Sequence, residues 1–313
     1  MNPIYSICIP CYKRRDIVRN TLKSIYEDNS DVSLSDYEVI ISDNDPLHEI
    51  EQLVSEFGIY ENFHYYKTEC EGFMNSYYAL SYGHGDFLKL HNSQNKFRKG
   101  VLKGLVEEVK SSLNSKMPIF YTSGLLYKFK SSIYDSFNDY MYALSYWSSW
   151  SGGMTIWREN FLSAKDVELN PLFPHTSIFL TQFKSRCFCI NDVVICDVQR
   201  VAKRGGHNKF EAFTIHYPSL IDKCWREGHI NSMCKEHIYK DIYREYLPTL
   251  LFNKYIARIE TFEAKGFKKN CKQYFPYGAY YIAWINVLFV PFRMLYRRWM
   301  IRRYGSTPIC SKR

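Results

Sequence analysis

Polar and charged side chains follow two short apolar segments near the start of the chain. The first segment, Tyr5–Ile9, is rich in residues that favour β-strands and is stopped by a proline; the second covers Tyr37–Ile41. Hydroxyl, carboxylate, amide and guanidinium groups stand directly after the two segments, and such groups can bind a polar, charged ligand. The residues that could form this site are Pro10, Cys11, Tyr12, Arg14, Asp43 and Asn44.

The segment between the two predicted strands has the pattern of a helix. Apolar residues recur at helical spacing between Arg15 and Tyr26. A strand, a crossover helix and a second strand form a right-handed parallel unit, and ligands of such sheets bind beyond the carboxyl ends of the strands. We therefore expect Arg14, Asp43 and Asn44 to converge, and we predict a nucleotide site there.

The first part of the chain resembles family-2 glycosyltransferases of the GT-A fold. These enzymes open with a strand, a Pro-x-Tyr-Asn/Lys-Arg turn and a second strand that ends in Ser-Asp-Asn, which residues 10–14 and 42–44 match here. The stretch Lys67–Asn75 is similar to the family segment in which a glycine and an asparagine open the next helix. Gly83–Leu90 is similar to the family's Gly-Asp-Tyr/Phe strand. The similarity covers about the first 100 residues well and about the next 110 more weakly.

This resemblance implies a fold class and several residue roles. The fold would be α/β, a GT-A-like Rossmann-type mixed sheet flanked by helices, with a helical C-terminal extension. By motif position, Asp43 would hold the nucleobase or ribose of a sugar donor, and Pro10, Cys11 and Tyr12 would line the same pocket. Asn75 would open the helix beside them.

The family's cation-binding motif is replaced in this chain. Family members carry an acidic triplet after the fourth strand, which holds Mg²⁺ or Mn²⁺ on the donor diphosphate, whereas this chain has Ser93, Gln94 and Asn95. Hard cations prefer anionic oxygens, so we expect weak metal binding, with Asn95 the best remaining ligand. Three alternatives remain. The donor diphosphate could hold the cation by itself, basic side chains could take the place of the cation, or the turn could be a solvated surface turn without a function. The basic candidates are Lys89, His91, Lys96, Arg98 and Lys99.

A catalytic base must remove the proton of the acceptor hydroxyl in an inverting transfer. The family places a carboxylate some 15 to 30 residues after the acceptor segment, but the corresponding segment here, 173–179, contains His175 and no acid. Histidine can serve as a base near neutral pH. Asp166 and Glu168 are competing candidates, and a purely structural His175 is the alternative.

Two further segments resemble substrate-contacting parts of the family. Residues 146–157 resemble the acceptor side in abequosyltransferase-like and other O-antigen or capsule enzymes. Paired glycines would let the main chain approach a ligand closely, and aromatic rings could stack on a sugar there, or the rings could form a buried cluster. Residues 203–208 resemble a basic loop that closes over the donor, with an inactive surface loop as the alternative. The residues concerned are Trp147, Trp150, Gly152 and Gly153 on the acceptor side, and Lys203, Arg204 and His207 in the loop.

Composition limits the remaining possibilities. The chain has 313 residues, ten irregularly spaced cysteines and no apolar leader behind a basic segment. We therefore expect a cytoplasmic protein with free thiols rather than a disulfide framework. A glycine-rich dinucleotide motif and a P-loop are both absent from the sequence.

The C-terminal segment is apolar and basic. It has no Asp or Glu from Tyr277 to the end, and it is apolar for 15 residues over 278–292. Since about 20 residues are needed to span a bilayer, we expect an interfacial helix at an anionic membrane rather than a spanning one. Alternatively, its apolar stripe packs on the catalytic domain. The stripe consists of Tyr281, Trp284, Leu288, Phe292, Leu295 and Trp299, and the basic residues are Arg293, Arg297, Arg298, Arg302, Arg303, Lys312 and Arg313.

These observations together predict an organisation and a function. We expect a transferase domain over 1–216, a helical part over 217–275 and a basic membrane-association tail over 276–313. The function would be transfer of one sugar from a nucleotide donor to a saccharide acceptor, lipid-linked, in surface polysaccharide synthesis at the inner face of the cytoplasmic membrane, with no nucleic-acid partner. A non-catalytic relative that binds nucleotide sugars or acts as a scaffold would also lack the acidic motif. A nucleotidyltransferase is a third possibility, disfavoured by the absence of a glycine-rich phosphate turn.

Overall fold

The computed structural model describes residues 2–201 and 206–305 and divides them into two compact units. The first unit contains residues 2–133 and 150–200 together with Gly305, and the second contains 134–149, 201 and 206–304. The division differs from the domains expected above. The second unit takes residues 134–149 out of the predicted transferase domain and includes the helical part and the described portion of the tail.

The described strands form one large and two small sheets. The large sheet has the order β3-β2-β1-β4-β8, and the small sheets have the orders β10-β5 and β6-β9-β7. Strands β3, β2, β1 and β4 are parallel, and β8 pairs antiparallel with β4, so the sheet is mixed as predicted. The strands are β1 Tyr5–Cys11, β2 Tyr37–Asp43, β3 Phe63–Lys67, β4 Phe87–Leu90, β5 Asn95–Phe97, β6 Ile119–Tyr121, β7 Ser131–Tyr134, β8 Thr155–Trp157, β9 Phe188–Asn191 and β10 Cys196–Val198.

Helices flank the large sheet in the first unit and make up most of the second. Three π-helical turns, at 212–216, 242–246 and 252–256, join helices of the second unit. The helices are α1 Arg15–Tyr26, α2 Val54–Phe57, α3 Asn75–Ser81, α4 Val101–Ser112, α5 Phe137–Leu144, α6 Arg158–Ser163, α7 Pro174–Leu180, α8 Lys209–Glu211, α9 Tyr217–Arg226, α10 Ser232–Asp241, α11 Leu247–Leu251, α12 Phe267–Tyr274, α13 Ala279–Asn286 and α14 Val290–Tyr304.

The core of the first unit explains why the predicted parallel unit forms. Side chains of β1 and β2 are buried on both faces of the sheet, as is usual for parallel strands covered by helices. The apolar face of α1, with Val18, Leu22 and Ile25, packs into the same core. The α/β fold class and the helix over 15–26 are therefore confirmed.

Strand β1 continues through Pro10, where the sequence predicted its end. Cys8 accepts a hydrogen bond from the β4 side, at His91 N, and Cys11 accepts one from the β2 side, at Asn44 N. Along a strand, the main-chain N–H and C=O groups of successive residues point alternately to the two neighbouring strands. The main chain of Pro10, two residues after Cys8, therefore points to the β4 side. Because β4 ends at Leu90, opposite Cys8, no described strand there needs the N–H that proline lacks.

Candidate functional site

The carboxyl ends of β1 and β2 are tied together by the first residue of α3. The Asn75 side-chain amide donates to Cys11 O (3.1 Å), Ser42 O (2.9 Å) and Asn44 Oδ1 (2.9 Å). Asn44 in turn donates to the main chain at 70 and 72. The structure thus joins Cys11, Asn44 and Asn75 in one polar cluster at the end of the strands.

Asp43 is the last residue of β2 and is fully buried. Its Oδ2 accepts a hydrogen bond from the Tyr65 hydroxyl (2.8 Å), and its Oδ1 accepts one from the main-chain N–H of Asp45 (3.0 Å). Burial, followed by the hydrogen bond to Asp43, raises the pKa of Tyr65. Burial and the charge of Asp43 also raise the pKa of the Cys11 thiol, so this thiol stays protonated. Asp43 is thereby held in one orientation at the ligand edge of the sheet.

Two neighbours of Asp43 were given no role by the sequence. Asp45 is fully buried, and among the described residues neither of its carboxylate oxygens has a hydrogen-bond partner. His48 Nδ1 lies 3.6 Å from Asp43 Oδ2 and likewise has no hydrogen-bond partner in the described chain. A buried polar group without a partner costs free energy, so this is a place where a bound molecule could complete the hydrogen bonding.

The turn after β1 has an unusual backbone. Lys13 and Arg14 both adopt positive φ angles, 57° and 67°, which are uncommon for residues with side chains. Tyr12 and Arg14 are exposed there, with the Lys13 ammonium 5.1 Å from the centre of the Tyr12 ring. The turn therefore leads from the polar cluster into α1 with its aromatic and basic side chains facing outward.

The turn that replaces the acidic triplet is held from its main chain. Thr21 of α1 donates to Ser93 O (2.8 Å), and Gln94 O accepts from Gln199 N (2.9 Å). The Gln199 side chain returns to α1 at Thr21 Oγ1 (3.0 Å). Ser93 and Gln94 are half-buried and Asn95 is buried. The turn is thus well fixed, although its own side chains supply only neutral oxygens and nitrogens.

Lys89 does not fit the role of an exposed cation. It is fully buried in β4, and its ammonium donates to Leu90 O (2.9 Å) and Gly152 O (2.8 Å). Burial lowers its pKa to about 8. His91 is also buried: burial, then the nearby Lys89, lowers the pKa of His91 to about 3, so it carries no charge near neutral pH. His91 contacts the turn, with Nε2 2.6 Å from Asn95 O, whereas Lys89 binds main-chain oxygens of β4 and of Gly152.

The other basic candidates of the turn lie in the small sheet of β5 and β10. Arg98 forms an ion pair with Asp197, with Nη2 2.9 Å from Oδ1, and its Nη1 donates to Gly305 O (2.5 Å), so its guanidinium is engaged on both sides. Lys96 is half-buried and pairs in register with Asp197. Of the basic side chains predicted to face a diphosphate, Lys96 and the exposed Lys99 are the ones the geometry leaves best placed.

The predicted acceptor segment adjoins this turn through Ser151, which donates to Asn92 Oδ1 (2.8 Å). A Cβ atom on Gly152 would lie 2.9 Å from the Trp150 ring, and one on Gly153 would lie 2.3 Å from the Phe120 ring. The protein's own atoms therefore fill the space at both glycines, whereas the sequence suggested that a ligand approaches them. Trp150 is half-buried in the first unit, and Trp147 belongs to the second unit, where it packs against Tyr146.

The three candidate bases lie in different surroundings. His175 is in the first turn of α7 and is 6% exposed. Asp166 and Glu168 are exposed. Asp166 lines a cavity of about 620 Å³ with Lys116, which lies at the amino end of β6, whereas ligands of such sheets bind beyond carboxyl ends. This placement favours His175 over Asp166.

The predicted donor loop is described only in part. Lys203 and Arg204 lie outside the described residues. His207 is half-buried in the second unit, where burial, and to a lesser degree Lys209, lowers its pKa.

A divalent cation does not fit the residues of the turn. Mg²⁺ and Mn²⁺ need carboxylate or similar anionic oxygens, and Ser93, Gln94 and Asn95 provide none. Within residues 2–201 and 206–305, no cluster of three or more His, Cys, Asp or Glu side chains could hold a metal ion. The turn therefore offers a hard cation no anionic side chain.

Comparison with known families agrees with this geometry. Residues 6–133, about two fifths of the chain, match the model of the family described as Glycosyl transferase family 2. The match covers β1 to β7 with the polar cluster and the altered turn. Residues 6–133 are therefore similar in sequence to family-2 glycosyltransferases. The prediction that the chain is a glycosyltransferase is thereby confirmed.

Solved structures show that the whole chain has the GT-A fold of this domain. S. aureus TarS 1-349 in complex with UDP-GlcNAc superposes with a TM-score of 0.59 at 15% identity, over 97% of this chain and 89% of that one. The mannosyltransferase PcManGT from Pyrobaculum calidifontis, in complex with GDP-Man and Mn²⁺, gives a TM-score of 0.55 at 16% identity, over 100% of this chain and 89% of that one. Comparison with curated protein sequences gives no match.

Sequence reasoning missed several residues that shape the glycosyltransferase site. Tyr65 holds Asp43, and Gln199 and Thr21 hold the altered turn. Tyr65 could have been found, because β3 is the neighbour of β2 in a parallel sheet and Tyr65 lies two residues before Lys67, the partner of Asp43, and so on the same face of the sheet. The role of Gln199 could not be predicted from the sequence, because its hydrogen bond to Thr21 of α1 joins residues 178 positions apart.

Proposed function

We propose that this glycosyltransferase moves one sugar from a nucleoside diphosphate donor to a saccharide acceptor. The polar cluster of Cys11, Asp43, Asn44 and Asn75 at the carboxyl edge of β1 and β2 is the observation that carries this proposal. It lies where parallel sheets bind nucleotides, within the segment that matches the family. The complexes of TarS with UDP-GlcNAc and of PcManGT with GDP-Man support a donor of the same chemical class.

The donor diphosphate, in this proposal, is neutralised without carboxylate-held metal. Lys96 and Lys99 are the described basic side chains of the turn that remain accessible, and lysine can offset the charge of a leaving diphosphate. The support for this part is chemical: the turn that would hold a cation has only neutral ligands. Transfer should then continue when divalent cations are removed.

The reaction we propose proceeds with inversion. The acceptor hydroxyl oxygen forms a bond to the anomeric carbon while the bond from that carbon to the diphosphate oxygen breaks. The hydroxyl proton passes to a base, and the nucleoside diphosphate leaves with the electron pair. His175 is our candidate for the base, since it is the one of the three candidates that is neither exposed nor at the amino end of a strand.

We further propose that the acceptor is lipid-linked and that the reaction belongs to surface polysaccharide synthesis, of the O-antigen or capsule type, at the inner face of the cytoplasmic membrane. The exposed apolar side chains of α13 and α14 support a lipid environment, because a tethered enzyme meets a lipid-linked acceptor at high effective concentration. The resemblance of residues 146–157 to acceptor segments of that branch supports the polysaccharide class.

The decisive experiment measures transfer directly. Purified protein and membranes from the source organism are incubated with a panel of labelled nucleotide sugars, with and without EDTA. We expect label from one donor to enter the lipid extract, to a similar extent in both conditions, and to be lost in His175→Ala. Transfer that requires added Mn²⁺ would contradict the metal-independent part.

A nucleotide-sugar-binding protein without transferase turnover is the second candidate, favoured by the missing carboxylates of the turn. Calorimetry separates the two. Binding of a nucleoside diphosphate with no transfer from any donor would support the binding protein, whereas absence of binding would overturn both.

A further inference from the structure

The C-terminal helices have their small side chains inside and their large ones outside. The buried residues of α13, of α14 and of the 3₁₀ turn Val287–Phe289 between them are Ala279, Ala283, Val287 and Val290. Helix α13 packs against α11 and the π-helical turn 242–246. The opposite face is exposed, with Leu288 at 72% and Phe292 at 69%. Large apolar side chains normally occupy the buried face, so this arrangement points to an apolar environment outside the protein. We name the exposed face the C-terminal apolar surface: Tyr281, Ile285, Leu288, Phe292, Leu295 and Trp299.

The surface extends beyond the two helices. Trp284 packs against Tyr255, with ring centres 5.6 Å apart, and Tyr255 belongs to the π-helical turn 252–256. Ile256 and Ile259, next to it, are exposed as well. A continuous apolar area of this kind is larger than the single exposed residues that are normal on soluble proteins.

Charge identifies the occupant of this surface. Between Tyr277 and Gly305 there is no Asp or Glu, and five arginines follow Phe292. Arg293 is tied back to Arg244 O and Asn286 O (3.1 Å each), and Arg303 stacks on Trp299 with its guanidinium carbon 5.4 Å from the ring centre. Aromatic rings at headgroup depth with arginines beside them match the chemistry of an anionic lipid surface. The arginines are Arg293, Arg297, Arg298, Arg302 and Arg303.

The helix can lie on a bilayer but is poorly suited to cross one. Within the described chain, Ala279–Tyr304 is the one helix that is long and apolar enough to span a membrane by length and composition, at 26 residues. Its apolar part, 279–292, is about 21 Å long, against about 30 Å of hydrocarbon. Spanning would place arginines in the hydrocarbon and would also need lipid around Ala283 and Val287, which the protein covers.

We infer that the C-terminal apolar surface is an interfacial anchor, which lies in the plane of an anionic membrane with Leu288 and Phe292 inserted deepest. This inference does not depend on the transferase activity, since membrane binding is measured without donor or acceptor. It concerns residues of the second unit alone.

Vesicle flotation with the full chain tests the inference. We expect the protein to float with vesicles of phosphatidylcholine and phosphatidylglycerol at 3:1, and less with phosphatidylcholine alone. The double variant Leu288→Glu/Phe292→Glu should bind at least tenfold more weakly, because two charges would enter the apolar layer. Arg297→Gln/Arg298→Gln should bind anionic vesicles about 25-fold more weakly, at about fivefold for each arginine near the surface, and should bind neutral vesicles like the wild type.

Ile59→Glu is the matched control, since Ile59 is 79% exposed in the first unit, and it should float like the wild type. Thermal melting checks that each variant is folded. Equal flotation of the wild type and the Leu288/Phe292 variant would overturn the inference, as would protein that resists alkaline carbonate extraction, which would indicate a spanning helix. Self-association that the same variant abolishes, without any flotation of the wild type, would show that the surface binds a second copy instead.

Discussion

The nucleoside end of the site and the diphosphate turn are built in opposite ways. At the proposed nucleoside end, the Asp43 carboxylate accepts from the Tyr65 hydroxyl and the Asp45 N–H, and the Asn75 side chain ties the ends of β1 and β2 together. At Ser93–Asn95 the side chains are neutral, and main-chain contacts from α1 and Gln199 fix the turn. Compared with the family's motif, the turn has lost its acidic side chains, whereas a carboxylate, Asp43, is present at the end of β2. Variants at the two ends should affect different measurements.

The largest effect should come from Asp43→Asn. Asparagine presents one acceptor oxygen where the carboxylate presents two, so either the Tyr65 hydroxyl or the Asp45 N–H loses its partner. Loss of this internal hydrogen bond lowers the free energy of unfolding. Loss of the charge also weakens the hydrogen bond that we propose between Asp43 and the nucleoside; hydrogen bonds to charged groups contribute about 1.5–3 kcal/mol, so nucleoside diphosphate affinity should fall by about tenfold to 100-fold. Calorimetry measures this, with exposed Asp31→Asn as the control. Unchanged affinity in Asp43→Asn would place the nucleoside elsewhere.

Gly153→Ala tests whether packing behind the diphosphate turn fixes it. The added Cβ would lie 2.3 Å from the Phe120 ring and 2.6 Å from Tyr121 O, a main-chain atom that cannot easily move. Overpacking of this kind costs about 1–3 kcal/mol, and we expect the upper end. Denaturant unfolding measures the loss. Gly152→Ala is the comparison, since its Cβ would meet side-chain atoms of Trp150 and Asn92 at about 3 Å, and it should cost less. Equal losses would mean that the backbone contact is not what matters.

The two ends also differ in how far the sequence predicted them. The apolar runs of β1 and β2 and the spacing of α1 are local signals, and they sufficed for the parallel unit and for the position of Asp43. The burial of Lys89 was not predictable, because it depends on Gly152 O, 63 residues away, which β8 brings beside β4. The pairing of Arg98 with Asp197 likewise spans 99 residues. The sequence predicted Lys89 and Arg98 to be exposed basic residues beside the motif, because partners so distant in sequence become apparent only in the folded chain.

Asn95→Asp should partly restore the family's cation chemistry. A carboxylate at this position gives the turn one anionic ligand for a hard cation beside the donor diphosphate. We expect transfer by the variant to rise about tenfold with added Mn²⁺, whereas the wild type responds little, because each anionic ligand adds substantially to cation affinity. Rates with and without Mn²⁺ measure this. Asn92→Asp, three residues earlier, where the side chain accepts a hydrogen bond from Ser151, serves as the control. If Mn²⁺ already stimulates transfer by the wild type, the turn binds a cation without a carboxylate, and the proposed difference between the Asp43 end and the turn is wrong.

The smallest effect concerns the buried ammonium behind the turn and appears in the pH dependence of stability. The pKa of Lys89 is about 8 in the folded protein and 10.5 in the unfolded chain. Between these values the unfolded chain binds more protons, so the Lys89 contribution to the free energy of unfolding rises with pH, by about 0.8 kcal/mol from pH 7 to pH 8.5. In Lys89→Met this rise should vanish. The difference in unfolding free energy between wild type and variant, measured by urea denaturation at the two pH values, should therefore shift by about 0.8 kcal/mol in favour of the wild type.

Burying the charged form of Lys89 costs free energy below pH 8. The lysine is retained because Leu90 O and Gly152 O need a hydrogen-bond donor where β4 and the segment before β8 meet. A constant difference across this range would mean that the ammonium is solvated, and Lys89 would then become available to the diphosphate after all.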